Sequence, residues 1–358
     1  YHLTEEKLGT IVKHRDVATL SVNGIADIIE SEPGIPNYKP EPYIRIDPRD
    51  GIKIVYNAKR ASRPHDNEAP PQSIEGEEDL NKEPNFITSA KTTSVIDVAD
   101  LSEGFTFINF NLFPALYPHS PEENTDNGNE LPYGMHFLQW SSSYQDRDWY
   151  NMPDEDCRVV LSRIAALEKT LLSDREGYVS IFKNCGRLVG GSIAQGHQQI
   201  GFSTVIPQAA VLLEQFQQRE GVVFSEYMRD NNPREFMIED FGTALLLVPY
   251  CMRRPYNMML ILKDTAKKQL HEVSDEEMLH LARGWKTGIR IMRSMLSFIG
   301  KPIAYNIVGH TGPGAGIFFD FLPYTQETGG FEHLGLFVCQ NTPELCVSNV
   351  KNYCRDFL

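Results

Sequence analysis

Residues 154–184 read DEDCRVVLSRIAALEKTLLSDREGYVSIFKN. Apolar residues recur at Cys157, Val160, Leu161, Ile164, Leu167 and Leu171, which is the spacing of one helical face. The preceding Asn-Met-Pro supplies a cap and a proline for the first turn. GYVSIFKN then reads as a strand. The same order returns further on. SDEEMLHLARGWKTGIRIMRSML opens with a capping box, Ser274 to Glu277, and carries Met278, Leu281, Trp285, Ile289, Met292 and Leu296 on one face. IAYNIVGH follows as a strand. From Asp154 to Asn184 is 30 positions and from Asp275 to Asn306 is 31, with the two starts 121 apart.

The flanks match as well. A strand pair containing proline precedes each helix: INFNLFPALYP with MHFLQWSS, and ALLLVPY with NMMLILK. A Gly-rich loop and another strand follow each asparagine: VGGSIAQGHQQIGFS, and TGPGAGIFFDFLPY. The expectation is an α+β fold built by duplication, each copy a set of antiparallel strands with one long helix packed across it.

The bulk numbers set limits on function. The chain has 358 residues, enough for one large or two ordinary domains. Hydrophobic content of 41% and charged content of 23% fit a folded globular protein. A net charge of −14 argues against non-specific binding to nucleic acid or an anionic membrane, which needs a Lys/Arg excess. The six cysteines, at 157, 185, 251, 339, 346 and 354, form no C-x-x-C pair and are too sparse for a disulfide scaffold. The opening YHLTEEKLGTIVKH has no apolar signal region, and no apolar run reaches the ~20 residues of a membrane span. Reduced thiols in a cytoplasmic compartment are the expectation.

Residues 1–40 hold short helical patterns, at Leu8, Ile11 and Val12, then at Val22, Ile25, Ile28 and Ile29, and close in SEPGIPNYKPEP. They are read as an N-terminal helical extension. IRIDPRDGIKIV signals a hairpin, with alternating apolar residues around Pro-Arg-Asp-Gly. Residues 63–93 are acidic and proline-rich and read as a long loop, as do His119–Pro132. The expected divisions are 1–40 for the extension, 41–212 for the first copy and 213–358 for a second, degenerate copy.

GGSIAQGHQQI, residues 190–200, places Gln195, His197 and Gln199 two apart, so in a strand they share a face. Alone this pattern fits an ordinary strand surface as well as a reactive site. Three stretches give it context. IRIDPRDGIKIVYNAKRASRP, residues 44–64, ends in Arg-x-x-Arg-Pro. FNLFPAL, residues 110–116, holds Asn-x-Phe-Pro. FKNCGRLVGGSIAQGHQQIGFSTVIP, residues 182–207, holds Phe-Lys-Asn-x-Gly-x-x-x-Gly-x-Ser. Together with YNIVGHTGP and LPYTQETGGFE in the second half, they resemble the galactose-1-phosphate uridylyltransferase family of the histidine-triad superfamily. The likeness runs in order from about residue 40 to 350.

The resemblance implies a nucleotidyltransferase or phosphorylase acting on a nucleoside diphosphate sugar or a dinucleotide. His197 matches the histidine that attacks the α-phosphorus and carries the nucleotide covalently in a ping-pong cycle. A neutral imidazole is a competent nucleophile near pH 7. The carbonyl of Gln195 would hold the far ring nitrogen as a donor. Gln199, Ser192 and the amide of Asn184 match donors to the transferred phosphoryl. Gly190 and Gly191 would let backbone approach the phosphates, Arg60 and Arg63 would neutralise their charge, and Asn111 would lie near ribose and base. This requires an imidazole standing open beside room for a diphosphate. A homodimer is also implied.

The chain departs from the pattern in ways that bear on cofactors. The family's His-Pro-His-x-Gln is here Gln195-Gly196-His197-Gln198-Gln199. No cysteine lies between Arg63 and Phe107, and no histidine in WSSSYQDRD, so the ligands of the structural zinc are missing. Where the family often has a His-x-His-x-Glu metal cluster, this chain has Gly316-Ile317-Phe318-Phe319-Asp320. The expectation is no cofactor and no metal site, with Phe318 and Phe319 packing in the ion's place and His310 structural. His136 and His333 have no assigned role. GGFEHLGLFVCQ reproduces the family's sugar-reading segment poorly, so galactose 1-phosphate is not the expected substrate. The rival readings are a nucleotide-binding protein without turnover and a hydrolase using water as acceptor.

Overall fold

The helical spacing of residues 157–171 is realised in the computed structural model, which describes residues 2–62, 93–120 and 132–357. Cys157, Val160, Leu161, Ile164, Leu167 and Leu171 are all fully buried. In chain order the elements are α1 (Glu5–Gly9), α2 (Val22–Ser31), β1 (Ile44–Ile46), β2 (Lys53–Val55), β3 (Val95–Asp100), β4 (Phe105–Phe110), β5 (Gly134–Trp140), α3 (Asp154–Leu172), β6 (Tyr178–Cys185), β7 (His197–Ser203) and α4 (Gln208–Glu220). There follow α5 (Phe224–Asn231), β8 (Met237–Asp240), β9 (Ala244–Leu247), β10 (Met258–Leu262), α6 (Asp275–Phe298), β11 (Tyr305–His310), β12 (Phe318–Pro323), α7 (Gly330–His333) and α8 (Pro343–Tyr353). Arg63 and nearly all of the two long loops lie outside the described residues.

The chain divides into two units. The first holds Tyr1–Asp148, Ser162–Ile181 and Gln195–Val211; the second holds Trp149–Leu161, Phe182–Ala194 and Leu212–Leu358. Strand order carries the mark of duplication. The first copy of the repeat runs β3-β4-β5-β7-β6 and the second copy runs β8-β9-β10-β12-β11, the same path. Each outer pair is antiparallel and slips register at the same point, between Val95 and Asp97 in the first unit and between Met237 and Glu239 in the second. Such bulges bend and twist a sheet edge. The sequence repeat had included neither β3 nor β8.

The hairpin expected around Pro-Arg-Asp-Gly forms as a separate two-stranded sheet, with Ile44 opposite Val55 and Ile46 opposite Lys53. Asp47 closes the turn by accepting from Arg49 N at 3.0 Å.

In the second unit, α6 begins at the Ser274–Glu277 capping box read from the sequence. Gly284 and Gly288, one turn apart, let it approach the sheet closely. A Cβ on either would meet Leu260 of β10 at 2.3 Å or Phe321 of β12 at 2.6 Å. Trp285 between them packs its ring 4.7 Å from Trp149 and 5.3 Å from Phe319. Phe318 and Phe319 are both buried.

Asp154, in the first turn of α3, accepts from Lys286 Nζ at 2.8 Å and Arg283 Nε at 3.0 Å on α6. Burial would raise its carboxyl, but the bonds and charges of Lys286 and Arg283 outweigh that and hold it below its ordinary value. Glu277 is held low in the same way, with Lys267 and Ser274 overcoming burial. A carboxylate whose folded value is depressed stabilises the fold above its unfolded value and loses that contribution as pH falls through the folded one. The melting temperature is therefore expected to fall as pH drops below about 4.5. Asp154→Asn should flatten that limb, at a cost under about 1 kcal/mol at neutral pH because the pair is partly solvated. Melts from pH 7 to 3 check this, and an unchanged limb in the variant would show that Asp154 does not contribute.

Candidate functional site

In the first unit β5 and β7 pair antiparallel, with Trp140 opposite His197, Leu138 opposite Gln199 and His136 opposite Gly201. Alternation along the strands puts His136, Leu138, Trp140, His197, Gln199 and Gly201 on one face. The strand begins at His197, so Gln195 stands just before it rather than in line. The other face takes Gln139 and Gln198, both fully buried, with Gln198 Nε2 donating to Gln139 Oε1 at 2.8 Å.

His197 Nδ1 lies 2.7 Å from the backbone carbonyl of Gln195. A carbonyl oxygen only accepts, so Nδ1 carries the proton and Nε2 holds the lone pair in the neutral ring. The ring sits 5.3 Å from that of Trp140, inclined at 42°. Trp140 is fixed in turn, donating from Nε1 to Asn109 Oδ1 at 2.9 Å. His197 is only 3% exposed, so the ring is covered, not open as the sequence reading required.

Gly196 has a steric reason to be glycine. A Cβ there would meet Asp148 Cγ at 2.5 Å and Asp148 Oδ1 at 2.7 Å. Asp148 Oδ1 accepts from Ser141 Oγ at 2.9 Å, and Ser141 N donates to Gly196 O at 3.2 Å, beside the Trp140–His197 pair. Proline, the residue of the resembled motif, also carries a Cβ, so a proline at 196 would require the Asp148 side chain to shift. Gly196→Ala should cost about 1–3 kcal/mol by overpacking. Adding Asp148→Gly should recover part of that, as thermal melts of the single and double variants would show.

At the end of β4, Asn111 opens a turn in which its Oδ1 accepts from Phe113 N at 2.9 Å. Asn111 Nδ2 lies 3.4 Å from His136 Nε2, and that nitrogen lies 2.9 Å from Gln199 Oε1. Arg60 Nη1 donates to the Phe113 carbonyl of the same turn. Asn111, Gln199 and Arg60 therefore gather around one turn in the first unit. His136 joins them with no sequence signal beyond its place two before Leu138.

Asn184, Gly190, Gly191 and Ser192 belong to the second unit. Asn184 Oδ1 accepts from Asn306 Nδ2 at 2.7 Å, which joins the two asparagines that the sequence repeat made equivalent. Gly190 adopts φ +83°, a left-handed turn that favours glycine. Gly191 N donates to Gly186 O at 3.0 Å, so close that a Cβ on Gly191 would meet that oxygen at 2.8 Å. Ser192 follows in irregular chain.

In the second copy His310 Nε2 meets Asp320 Oδ2 at 3.1 Å, with the imidazole stacked 4.5 Å from Phe318 at 13°. Among the described residues no group of three or more His, Cys, Asp or Glu side chains is placed to hold a metal ion. Nor is any described helix long and apolar enough to cross a membrane.

No family model matches the chain, and no curated protein does. Solved structures do. A uridylyltransferase structure superposes with a TM-score of 0.67 at 19% identity, covering 88% of this chain and 99% of that one. An ADP-glucose phosphorylase from Arabidopsis thaliana with bound ADP-glucose gives 0.63 at 18%, covering 87% and 99%. A GalT-like protein from the same plant gives 0.62 at 17%, covering 87% and 99%. The chain has the fold of these proteins, an α+β duplication with antiparallel strands, as the resemblance implied.

Proposed function

We propose that this chain is a nucleotidyltransferase or phosphorylase that acts on a nucleoside diphosphate sugar or a dinucleotide through a nucleotidyl-histidine at His197. The observation that carries this reading is the 2.7 Å contact between His197 Nδ1 and the Gln195 carbonyl, which leaves the lone pair on Nε2. The shared fold with a uridylyltransferase and an ADP-glucose phosphorylase supports it.

In the first half-reaction Nε2 attacks the α-phosphorus. The Nε2–P bond forms, and the P–O bond to the second phosphoryl group breaks, with that oxygen leaving as the anion. The ring becomes an imidazolium whose Nδ1–H still donates to Gln195 O, a bond that strengthens as charge develops. In the second half-reaction an oxygen of an acceptor phosphate attacks the same phosphorus, the N–P bond breaks and the neutral ring returns. Gln199 would donate to the phosphoryl oxygens. The phosphate roles of Arg60, Arg63, Asn184, Gly190, Gly191 and Ser192, the ribose role of Asn111, the homodimer, the cytoplasmic location and the lack of any cofactor rest on the resemblance.

A second reading, nucleotide binding without turnover, is favoured by the covered ring, because a phosphorus atom reaches Nε2 only when the covering atoms move. One experiment separates the readings. The protein is incubated with UDP-glucose, ADP-glucose and diadenosine tetraphosphate without acceptor, then weighed intact. A mass gain of one nucleoside monophosphate, discharged by inorganic phosphate, is expected. Binding with no mass gain would assign the chain to the second reading, and product formed with water alone would make it a hydrolase.

A further inference from the structure

We infer that His136 is a positioning residue that fixes the polarity of Gln199, and with it the donor offered to a phosphoryl oxygen; this rests on the proposed function. The argument starts from groups with no choice. Ala115 N–H can only donate, and it lies 3.0 Å from His136 Nδ1. Nδ1 therefore holds a lone pair, and the proton of the neutral ring is on Nε2. This is the opposite tautomer to that of His197. His136 Nε2–H points at Gln199 Oε1 at 2.9 Å, so the Gln199 carbonyl accepts and its NH2 group is turned away from the ring as a donor.

A second backbone group settles Asn111. Phe113 N–H donates to Asn111 Oδ1 at 2.9 Å, which leaves Nδ2 facing the imidazole at 3.4 Å. With its proton on Nε2, the ring offers that amide no lone pair. Two main-chain N–H groups of the turn 111–115 thus orient three side chains and leave the amide nitrogens of Asn111 and Gln199 as donors. Such a set suits an oxygen-rich ligand, a phosphoryl or ribose oxygen, and not a cation. His136 is 5% exposed, so its ring is held by packing as well as by its hydrogen bonds. Without it, the Gln199 amide could rotate and present its oxygen to the phosphoryl group, where two oxygens would repel.

The test has two arms. Nitrogen-15 NMR of the histidine rings in the unliganded protein reads the tautomer directly. An Nε2–H ring at His136 is expected, and an Nδ1–H ring would overturn the inference whatever the activity. The second arm measures formation of the covalent nucleoside monophosphate from UDP-glucose and ADP-glucose. His136→Phe should slow it about 10- to 100-fold, and His136→Gln, which keeps an amide donor, should recover part. Gln199→Ala should slow it comparably, and His136→Phe added to Gln199→Ala should slow it no further. Multiplicative losses in the double variant would reduce His136 to a packing residue and sink the inference. If the unmodified protein forms no adduct but shows the Nε2–H ring, the geometry stands and the nucleotidyl-transfer reading fails.

Discussion

If the proposed nucleotidyl-histidine route operates, His197→Ala is expected to lower the rate of nucleotidyl transfer by about 10⁴-fold or more and to leave no nucleoside monophosphate on the protein. The size follows from covalent catalysis. Without the imidazole, no Nε2–P bond forms, and a one-step displacement between two phosphate esters would have to bring two anions together unaided. On the proposed mechanism the other parts of the site would act on the phosphoryl group only as donors, so their loss would be graded, about 10²–10³ each at most. His197→Gly sharpens the result. It opens a cavity where free imidazole can enter, and partial rescue by imidazole in solution would show that the ring is needed for its chemistry, not its bulk. Intact mass and steady-state rates measure both variants. A His197→Ala protein that still acquires the adduct would place the nucleophile elsewhere. Unchanged substrate binding with lost turnover is the expected pattern, because Nε2 meets phosphorus fully only in the transition state.

The long helices could be read from residues because their signal is local. Each apolar position named for α3 is buried, and α6 starts at the capping box found in the sequence. The repeat was also legible, since both Gly-rich loops and both final strands follow at matching distances. The outer strands β3 and β8 were not, because an edge strand is defined by its partner and its bulge rather than by its own pattern. Residues 208–231 form α4 and α5 without having been read as helices. The polar face of α4 gave little periodicity, with Ala210 its one buried residue.

The site divides in the same manner. His197 and Gln195 are neighbours in sequence, and the resemblance, not the spacing, implied the hydrogen bond between them. Gln199 and His136 are 63 residues apart, and only the register of β5 against β7 brings them together. The exposure of His197 was misread for a related reason. The resembled chemistry required an open ring, but in the fold His197 is 3% exposed, with Trp140 opposite it on β5. The Gly196 departure had no explanation in the sequence, and the close Asp148 side chain gives it a steric one.

Arg163→Ala is expected to destabilise the first unit by about 3–5 kcal/mol, the usual result of leaving one partner of a buried ion pair behind. Arg163, on α3, donates from Nε to Asp97 Oδ2 at 2.8 Å and from Nη2 to Asp16 Oδ1 at 2.8 Å, with a further Nη2 bond to Asp97 Oδ1. The Asp97 side chain is wholly buried and also accepts from Val17 N at 2.9 Å, so β3, α3 and the N-terminal segment meet on one carboxylate. Burial pushes the Asp97 carboxyl up, against the pull of Arg163 and of Val17 N–H, while the same pair holds the guanidinium more firmly charged. Burying the pair therefore gains little over apolar residues of similar size, but breaking it strands a charge. With Arg163 gone, the folded value of Asp97 rises further. A carboxyl raised in the folded state costs stability as pH climbs from its unfolded value through its folded one. The penalty should be largest at neutral pH and shrink toward pH 4, where Asp97 can stay protonated. Urea unfolding of the variant and of the unaltered protein at pH 7 and pH 4.5 measures it. A second variant, Arg163→Met with Asp97→Leu, should recover much of the loss, apart from the stranded Val17 N–H. An equal penalty at both pH values would mean that α3 loses packing, not charge pairing, when Arg163 is removed.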